Sequence, residues 1–165
     1  MRRRDMLLGT VATFSLGACA DSKFRRYTGP EVTMVYVNKS ARRMHLLHHD
    51  TALSSYDINL GFAPQGHKQF EGDGKTPEGT YRIDRRNPNS DFHLSLGISY
   101  PNVKDVEVAR AMNKSPGGDI FIHGQRHPRK PDGKDWTWGC IAVTNDEIEE
   151  IYAMVADETL IVLSA

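Results

Sequence analysis

Cysteine is scarce in this 165-residue chain, which holds only Cys19 and Cys140. Two thiols exclude a multi-bridge disulfide scaffold, and the absence of paired CxxC spacing excludes the common structural zinc sites. An excess charge of either sign is missing too, since lysine plus arginine and aspartate plus glutamate number 21 each. That balance gives no electrostatic reason to expect nucleic-acid binding or broad adsorption to anionic lipid. No apolar run suits a permanent membrane span; residues 6–18 are mostly apolar and small but too few to cross a bilayer as a helix. Internal repeats are absent, and so is a phosphate loop. Gly74-Lys75-Thr76 ends like one, but the glycine required five positions earlier is Gln69. What is present, 39% hydrophobic and 25% charged residues, suits one soluble domain with one core.

The start of the chain differs from the rest. Arg2, Arg3 and Arg4 form a basic region, an apolar stretch follows, and Leu16-Gly17-Ala18-Cys19 closes it, in the order of an export signal. Leu-Gly-Ala-Cys resembles a bacterial lipobox, which would make Cys19 a lipidation site; ordinary cleavage near Ala18-Cys19-Ala20 is the alternative. Arg3-Arg4-Asp5-Met6-Leu7 is also similar to a twin-arginine signal. The organisation expected is an export signal over residues 1–19, a polar tether over 20–30 and a folded domain over 31–165. The domain is then exported to the periplasm and touches a membrane only through a lipid anchor at Cys19. Cys140 loses its one intrachain partner, and an unpaired thiol in an oxidising compartment has to be buried or used.

Within the domain, Val32, Met34 and Tyr36, then Met44 and Leu46, alternate around Asn38-Lys39-Ser40 and predict a strand hairpin. Residues 54–60 supply a possible third strand. Residues 61–79 carry five glycines and two prolines with no periodicity, the mark of a functional or disordered loop. Residues 80–84 return to strand pattern. Residues 105–112 suggest a short helix with Val106 and Ala109 on its inner face. Residues 119–123 form a β-rich run ending in His123, and 124–139 form a second loop. Ile141-Ala142-Val143 reads as a brief strand. Thr144 with Glu147 forms a capping box that opens a helix bearing Ile148, Ile151, Tyr152 and Val155, and 159–163 closes as a strand. The fold class expected is mainly β with two short helices.

Cys140 and His123 are the residues that carry chemistry. A free thiol has a pKa of about 8.5 and is only slightly ionised near neutrality, so a cysteine enzyme needs a base beside it. His123 ends the apolar run Ile120-Phe121-Ile122, where a strand holds a side chain rigidly at the edge of a loop. Gly124 lets its carbonyl contact that imidazole. Gly139 permits a tight turn whose backbone amides point at a developing oxyanion. On these residues alone a nucleophile and a buried structural cysteine stay evenly matched.

The blocks in which they sit narrow the choice. His123-Gly124 followed by Asp135-Trp136-Thr137-Trp138-Gly139-Cys140-Ile141, with Gly72-Asp73-Gly74-Lys75-Thr76-Pro77-Glu78-Gly79 upstream, resembles the L,D-transpeptidase catalytic domain, the YkuD-like family, over residues 32–163. Gly61, Pro64, Gly66 and Lys68 fit the lead-in to that upstream block. The resemblance implies an L,D-transpeptidase-like β-sandwich in which Cys140 attacks the L-centre carbonyl of diaminopimelate in a peptidoglycan stem tetrapeptide. D-alanine leaves, and the thioester passes to an amine. It further implies His123 as general base, the Gly124 carbonyl as its orienting partner and Gly139 as oxyanion-hole backbone, with no cofactor and no metal.

Departures from the pattern matter. Family members often read Ser-His-Gly-Cys-Ile-Arg, whereas this chain has Thr137-Trp138-Gly139-Cys140-Ile141-Ala142, without the arginine that helps grip a substrate carboxylate. This version is similar to the YafK-like branch, in which water can replace the amine. A hydrolase releasing D-alanine or a wall-linked lipoprotein or outer-membrane protein is therefore the alternative. Lys68, Lys75 and Tyr100 are candidate substrate contacts, as are Trp136, Thr137 and Trp138, while Arg82 reads as solvated surface. A zinc hydrolase using some of the seven histidines lacks any HExxH spacing. His127 is a candidate for the loop beside the site. A non-catalytic peptidoglycan-binding lipoprotein would use the tryptophans for recognition, but the presence of both His123 and Cys140 argues for an enzyme.

Overall fold

The computed structural model describes residues 22–125 and 133–165, so the export signal, Cys19 and His127 lie outside the described residues. Eight strands and two helices follow in order: β1 (Met34–Asn38), β2 (Arg43–His48), β3 (Thr51–Asp57), β4 (Gly79–Asn87), β5 (Ser95–Ile98), α1 (Val103–Ala111), β6 (Phe121–His123), β7 (Ile141–Ala142), α2 (Asn145–Met154) and β8 (Leu160–Ser164). One sheet of order β3-β2-β1-β8-β4-β5-β6-β7 contains every strand. Its mainly β, sandwich-like character comes from curling at β4. The first part of β4 pairs with β8, the last part pairs with β5, and the register shifts between Ile83 and Arg85. A β-bulge of this kind increases twist and bends the strand. The curl brings β7 back to the chain leaving β3, where Asn59 and Ala142 exchange backbone hydrogen bonds of 2.9 Å.

The β1–β2 hairpin forms where the alternation places it, with the opposite face inward in β1. Val35 and Val37 are fully buried against Leu46 and Met44, while Met34 and Tyr36 are only partly covered. The alternation of β1 is apolar on both faces, so its period identifies the strand without choosing the side. Strand β5 is absent from the sequence-based expectation. All four of its residues are buried, yet Leu94, Leu96, Ile98 and Tyr100 alternate with His93, Ser95, Gly97 and Ser99 through it, a period-two signal that the sequence-based expectation leaves unused.

Both helices start on capping boxes. Asn102 with Asp105 caps α1, and Thr144 with Glu147 caps α2 as expected. In α1 the buried residues are Asp105 and Ala109, not Val106 and Ala109, because Asp105 accepts bonds from Tyr81 and His67 at 2.8 and 3.0 Å. Helix α2 buries Ile148 and Ile151 and packs on β5 and β6. Burying such a side chain contributes about 1.5–3 kcal/mol, enough for α2 to seat the two strands beneath it. Residues 22–30 carry no helix or strand but are held against the domain. Lys23 donates to the Pro88 carbonyl at 2.6 Å, and Arg25 pairs with Glu149 at 3.0 Å.

Candidate active site

Strands β6 and β7 run parallel with Ile122 opposite Ile141 and His123 opposite Ala142. Side chains alternate across a strand, so Ile122 and Ile141 point to the core while His123 and Cys140, which precedes β7, share the other face. Two cross-strand rows make up that face. Ser95 pairs with His123 in one, and Gly97 pairs with Phe121 in the other, next to Cys140. The imidazole is thus placed by strand β6 and the thiol by the turn that leads directly into β7.

His123 is buried, and its Nδ1 lies 2.6 Å from the Gly124 carbonyl. A carbonyl only accepts, so Nδ1 carries the proton and Nε2 is left as the basic nitrogen. Burial pushes the imidazole pKa down, and the Gly124 bond opposes this in part. Phe92 lies against the imidazole with ring centroids 4.6 Å apart, and Trp136 meets it edge-on at 5.7 Å. Gly124 has no room for a side chain, since a Cβ there would sit 2.6 Å from Asn145 Oδ1 and 2.9 Å from Ile148 and the Phe92 carbonyl.

Cys140 is half-buried, and its Sγ donates to the Asp119 carbonyl at 3.5 Å. Burial pushes the thiol pKa up. Both shifts favour the uncharged forms, thiol and neutral imidazole.

The turn before Cys140 is locked from several sides. Thr137 Oγ1 accepts the Gly139 N–H at 3.2 Å and donates to the Cys140 carbonyl at 2.7 Å. Gly139 adopts φ +128°, and a Cβ there would lie 2.6 Å from the Lys75 carbonyl. Gly61 is equally constrained, with a Cβ falling 2.0 Å from the Gly74 carbonyl. The upstream glycine block is therefore stacked on the turn before Cys140. Arg42 in the β1–β2 turn holds Asp135 through Nη2 at 2.7 Å and Nε at 2.9 Å, and Asp135 also accepts the Leu60 N–H at 3.0 Å. Leu60 and Phe62 complete this seam by exchanging backbone hydrogen bonds with Thr137.

Several expected contacts take other positions. The Gly139 N–H is committed to Thr137, so Gly139 supplies shape, and an oxyanion donor has to come from a neighbouring amide of the turn. Lys68 is buried and bonded to Asp73 at 2.9 Å and to the Phe70 carbonyl at 3.1 Å, which makes it a brace of the glycine block rather than a free cation. Burial works to raise the Asp73 carboxyl, but the N–H groups of Gln69, Lys75 and Phe70 and the Lys68 ammonium outweigh it and hold the group below its ordinary range. Tyr100 is buried with its hydroxyl on the Pro116 carbonyl at 3.0 Å, away from Cys140. Thr137 is buried and serves as the clamp already described. Lys75 is partly exposed, and its carbonyl faces Gly139.

The two tryptophans divide their work. Trp136 packs over His123, and its indole N–H, though buried, finds no hydrogen-bond partner among the described residues. Trp138 is 72% exposed and meets Phe62, itself 50% exposed, in an edge-to-face pair at 5.1 Å. Sequence reasoning missed Phe92 and Arg42, which belong to no recognisable block, and Phe62, which sits in the lead-in over residues 61–68 without a role of its own. Arg42 and Phe62 touch the Asp135–Gly139 segment only after the sheet has curled.

Comparison with known proteins agrees with this geometry. The L,D-transpeptidase catalytic domain family, YkuD, matches residues 33–163. YafK of Escherichia coli K12, whose name as an L,D-transpeptidase is provisional, is 34% identical over 105 residues, 62% of this chain and 37% of that protein. The chain thus spans little more than a third of that curated relative. Among solved structures, the helical cell shape determining protein Pgp2 of Campylobacter jejuni superposes with a TM-score of 0.63 at 25% identity, over 84% of this chain and 49% of its own. L,D-transpeptidase 1 of Mycobacterium tuberculosis shares the fold with a TM-score of 0.53 at 12% identity, over 82% of this chain and 62% of its own. With the curled sheet, the histidine–thiol face and the glycine-locked turn in the order that the family model spans, the chain belongs to the L,D-transpeptidase catalytic domain (YkuD) family.

Proposed function

We propose that the domain is a cysteine-dependent acyltransferase acting on peptidoglycan stem tetrapeptides, with Cys140 as nucleophile and His123 as general base. The observation that carries this reading is the 2.6 Å bond from His123 Nδ1 to the Gly124 carbonyl, which leaves Nε2 as the proton acceptor on the face that Cys140 shares. Nε2 takes the thiol proton as Sγ bonds to the carbonyl carbon of diaminopimelate. The tetrahedral intermediate then expels D-alanine, whose amine receives that proton, and a thioester remains on Cys140. An incoming amine loses a proton to His123, attacks the thioester and releases the thiol.

Ala142 stands where family members often carry an arginine, and that departure supports hydrolysis as the second reading, with water in place of the amine. One experiment separates the two. Sacculi incubated with the protein and digested to muropeptides are analysed by mass spectrometry: transfer raises crosslinked dimers, whereas hydrolysis converts tetrapeptides to tripeptides or releases wall-bound protein. Unchanged sacculi would leave the binding-only reading in possession. The export signal and a lipidated Cys19 would put this activity in the periplasm on a membrane anchor, tested by the mass of the mature N-terminus.

A further inference from the structure

We infer that Arg85 and Asp119 form a subsite for the α-amino-carboxylate end of the diaminopimelate side chain, beside Cys140. The inference rests on the acyl-transfer reading above and names how its substrate is recognised. It begins with a row across the sheet. Arg85 on β4 pairs with Gly97 on β5, and Gly97 pairs with Phe121 on β6, whose neighbour on the next strand is Cys140. Directly paired residues share a face, so the Arg85 side chain starts on the same surface as the nucleophile.

Gly97 is what lets it reach across. A Cβ at Gly97 would fall 2.4 Å from Arg85 Cγ and 2.9 Å from its Nε, so the arginine stem occupies the space that any other residue would fill. The guanidinium then lies 4.6 Å from the centroid of the Phe121 ring, and its Nη2 meets Asp119 Oδ1 at 3.3 Å. The carbonyl of that same Asp119 accepts from Cys140 Sγ. A cation, a carboxylate and the thiol therefore share one short segment of surface.

The two halves of the guanidinium differ. Nη1 is anchored on both Asp84 oxygens at 2.9 and 3.0 Å. Nη2 has the longer Asp119 contact, and the groups that form it are open to solvent, 40% for Arg85 and 91% for Asp119. The anchored side fixes the fork and the open side is exchangeable. A substrate carboxylate fits Nη2 and a substrate ammonium fits Asp119, which is the charge pattern of a zwitterionic amino-acid terminus. Diaminopimelate carries such a terminus on its side chain. Ala142 provides no cation, and Lys68 is buried and paired with Asp73.

The test uses calorimetry on the Cys140→Ala protein, which binds without turnover, and two synthetic stem tetrapeptides. One carries diaminopimelate, and the other carries lysine, which keeps the ammonium and lacks the carboxylate. The diaminopimelate peptide is expected to bind about tenfold more tightly. Adding Arg85→Ala should remove that preference by weakening the diaminopimelate peptide alone, Arg85→Lys should restore part of it, and Asp119→Asn should weaken both peptides. Thermal unfolding of each variant confirms that the fold is kept. A peptide preference that survives Arg85→Ala overturns the subsite and leaves the acyl-transfer reading standing. Failure of both peptides to bind the protein with Arg85 intact overturns the two together.

Discussion

Replacing Thr137 by valine isolates what holds Cys140, the proposed nucleophile, in place, because valine keeps the shape of threonine and removes only the hydroxyl. That hydroxyl is buried, accepts the Gly139 N–H at 3.2 Å and donates to the Cys140 carbonyl at 2.7 Å. A buried backbone group left unpaired costs about 1–3 kcal/mol, so the pair costs about 2–6 kcal/mol. For a domain of this size that is a fall in melting temperature of about 6–18 °C. The turn also positions Sγ, and a displacement on the order of 1 Å lowers the rate about a hundredfold. Differential scanning fluorimetry and the rate of carbapenem acylation followed by intact mass read the two effects. Thr137→Ser keeps the hydroxyl and should recover most of both. A valine variant that melts within about 2 °C of the parent and is acylated at the parent rate refutes the clamp. A serine variant as impaired as valine would show that the hydroxyl alone does not hold the turn and that the methyl group, which valine keeps, is needed beside it.

Lys68→Met leaves Asp73 buried without its cation and is expected to cost about 3–5 kcal/mol in urea unfolding; a variant of full stability that has lost only substrate affinity would return Lys68 to the binding site. Trp138→Ala should leave the unfolding midpoint within about 0.5 kcal/mol of the parent, as exposed positions do, while raising KM for sacculi. A stability loss with unchanged KM would make that tryptophan a packing residue. Burial lowers the His123 pKa below its usual 6.5, so the acid limb of kcat/KM should lie below that value and no thiolate–imidazolium bell should appear. The same shift has a stability consequence of fixed sign. Below about pH 6.5 the unfolded chain takes up a proton that folded His123 resists, so stability should fall with pH through that region, and His123→Gln should flatten the fall.

The candidate site residues stand out in the sequence because each proposed chemical demand has few residue solutions. His123, Gly124, Gly139 and Cys140 offer a base, a carbonyl that approaches closely, a turn without a Cβ and a thiol. The capping box at Thr144 was legible for the same reason. Strand β5 was legible in the alternation of Leu94, Leu96, Ile98 and Tyr100 and was overlooked, whereas the inner face of β1 was hidden because both faces are apolar. Lys68 and Tyr100 were drawn as substrate contacts from their side-chain chemistry, and only the fold shows them sealed beneath the glycine block and against Pro116. Lys39, read as part of a polar turn, is buried with its ammonium on the Gly66 and Thr76 carbonyls and Glu78. Contacts between residues far apart in the chain, such as Arg42 with Asp135 or Phe92 with His123, leave no local pattern to read.

Intact-mass spectrometry of the protein after incubation with a carbapenem, compared between the parent, Cys140→Ala and His123→Ala, tests the nucleophile most directly. The expected result is a single covalent adduct on the parent, none on Cys140→Ala and a strongly slowed adduct on His123→Ala, with peptide mapping placing the label on Cys140. An adduct that persists on Cys140→Ala, or muropeptide turnover that survives that substitution, would contradict the assignment.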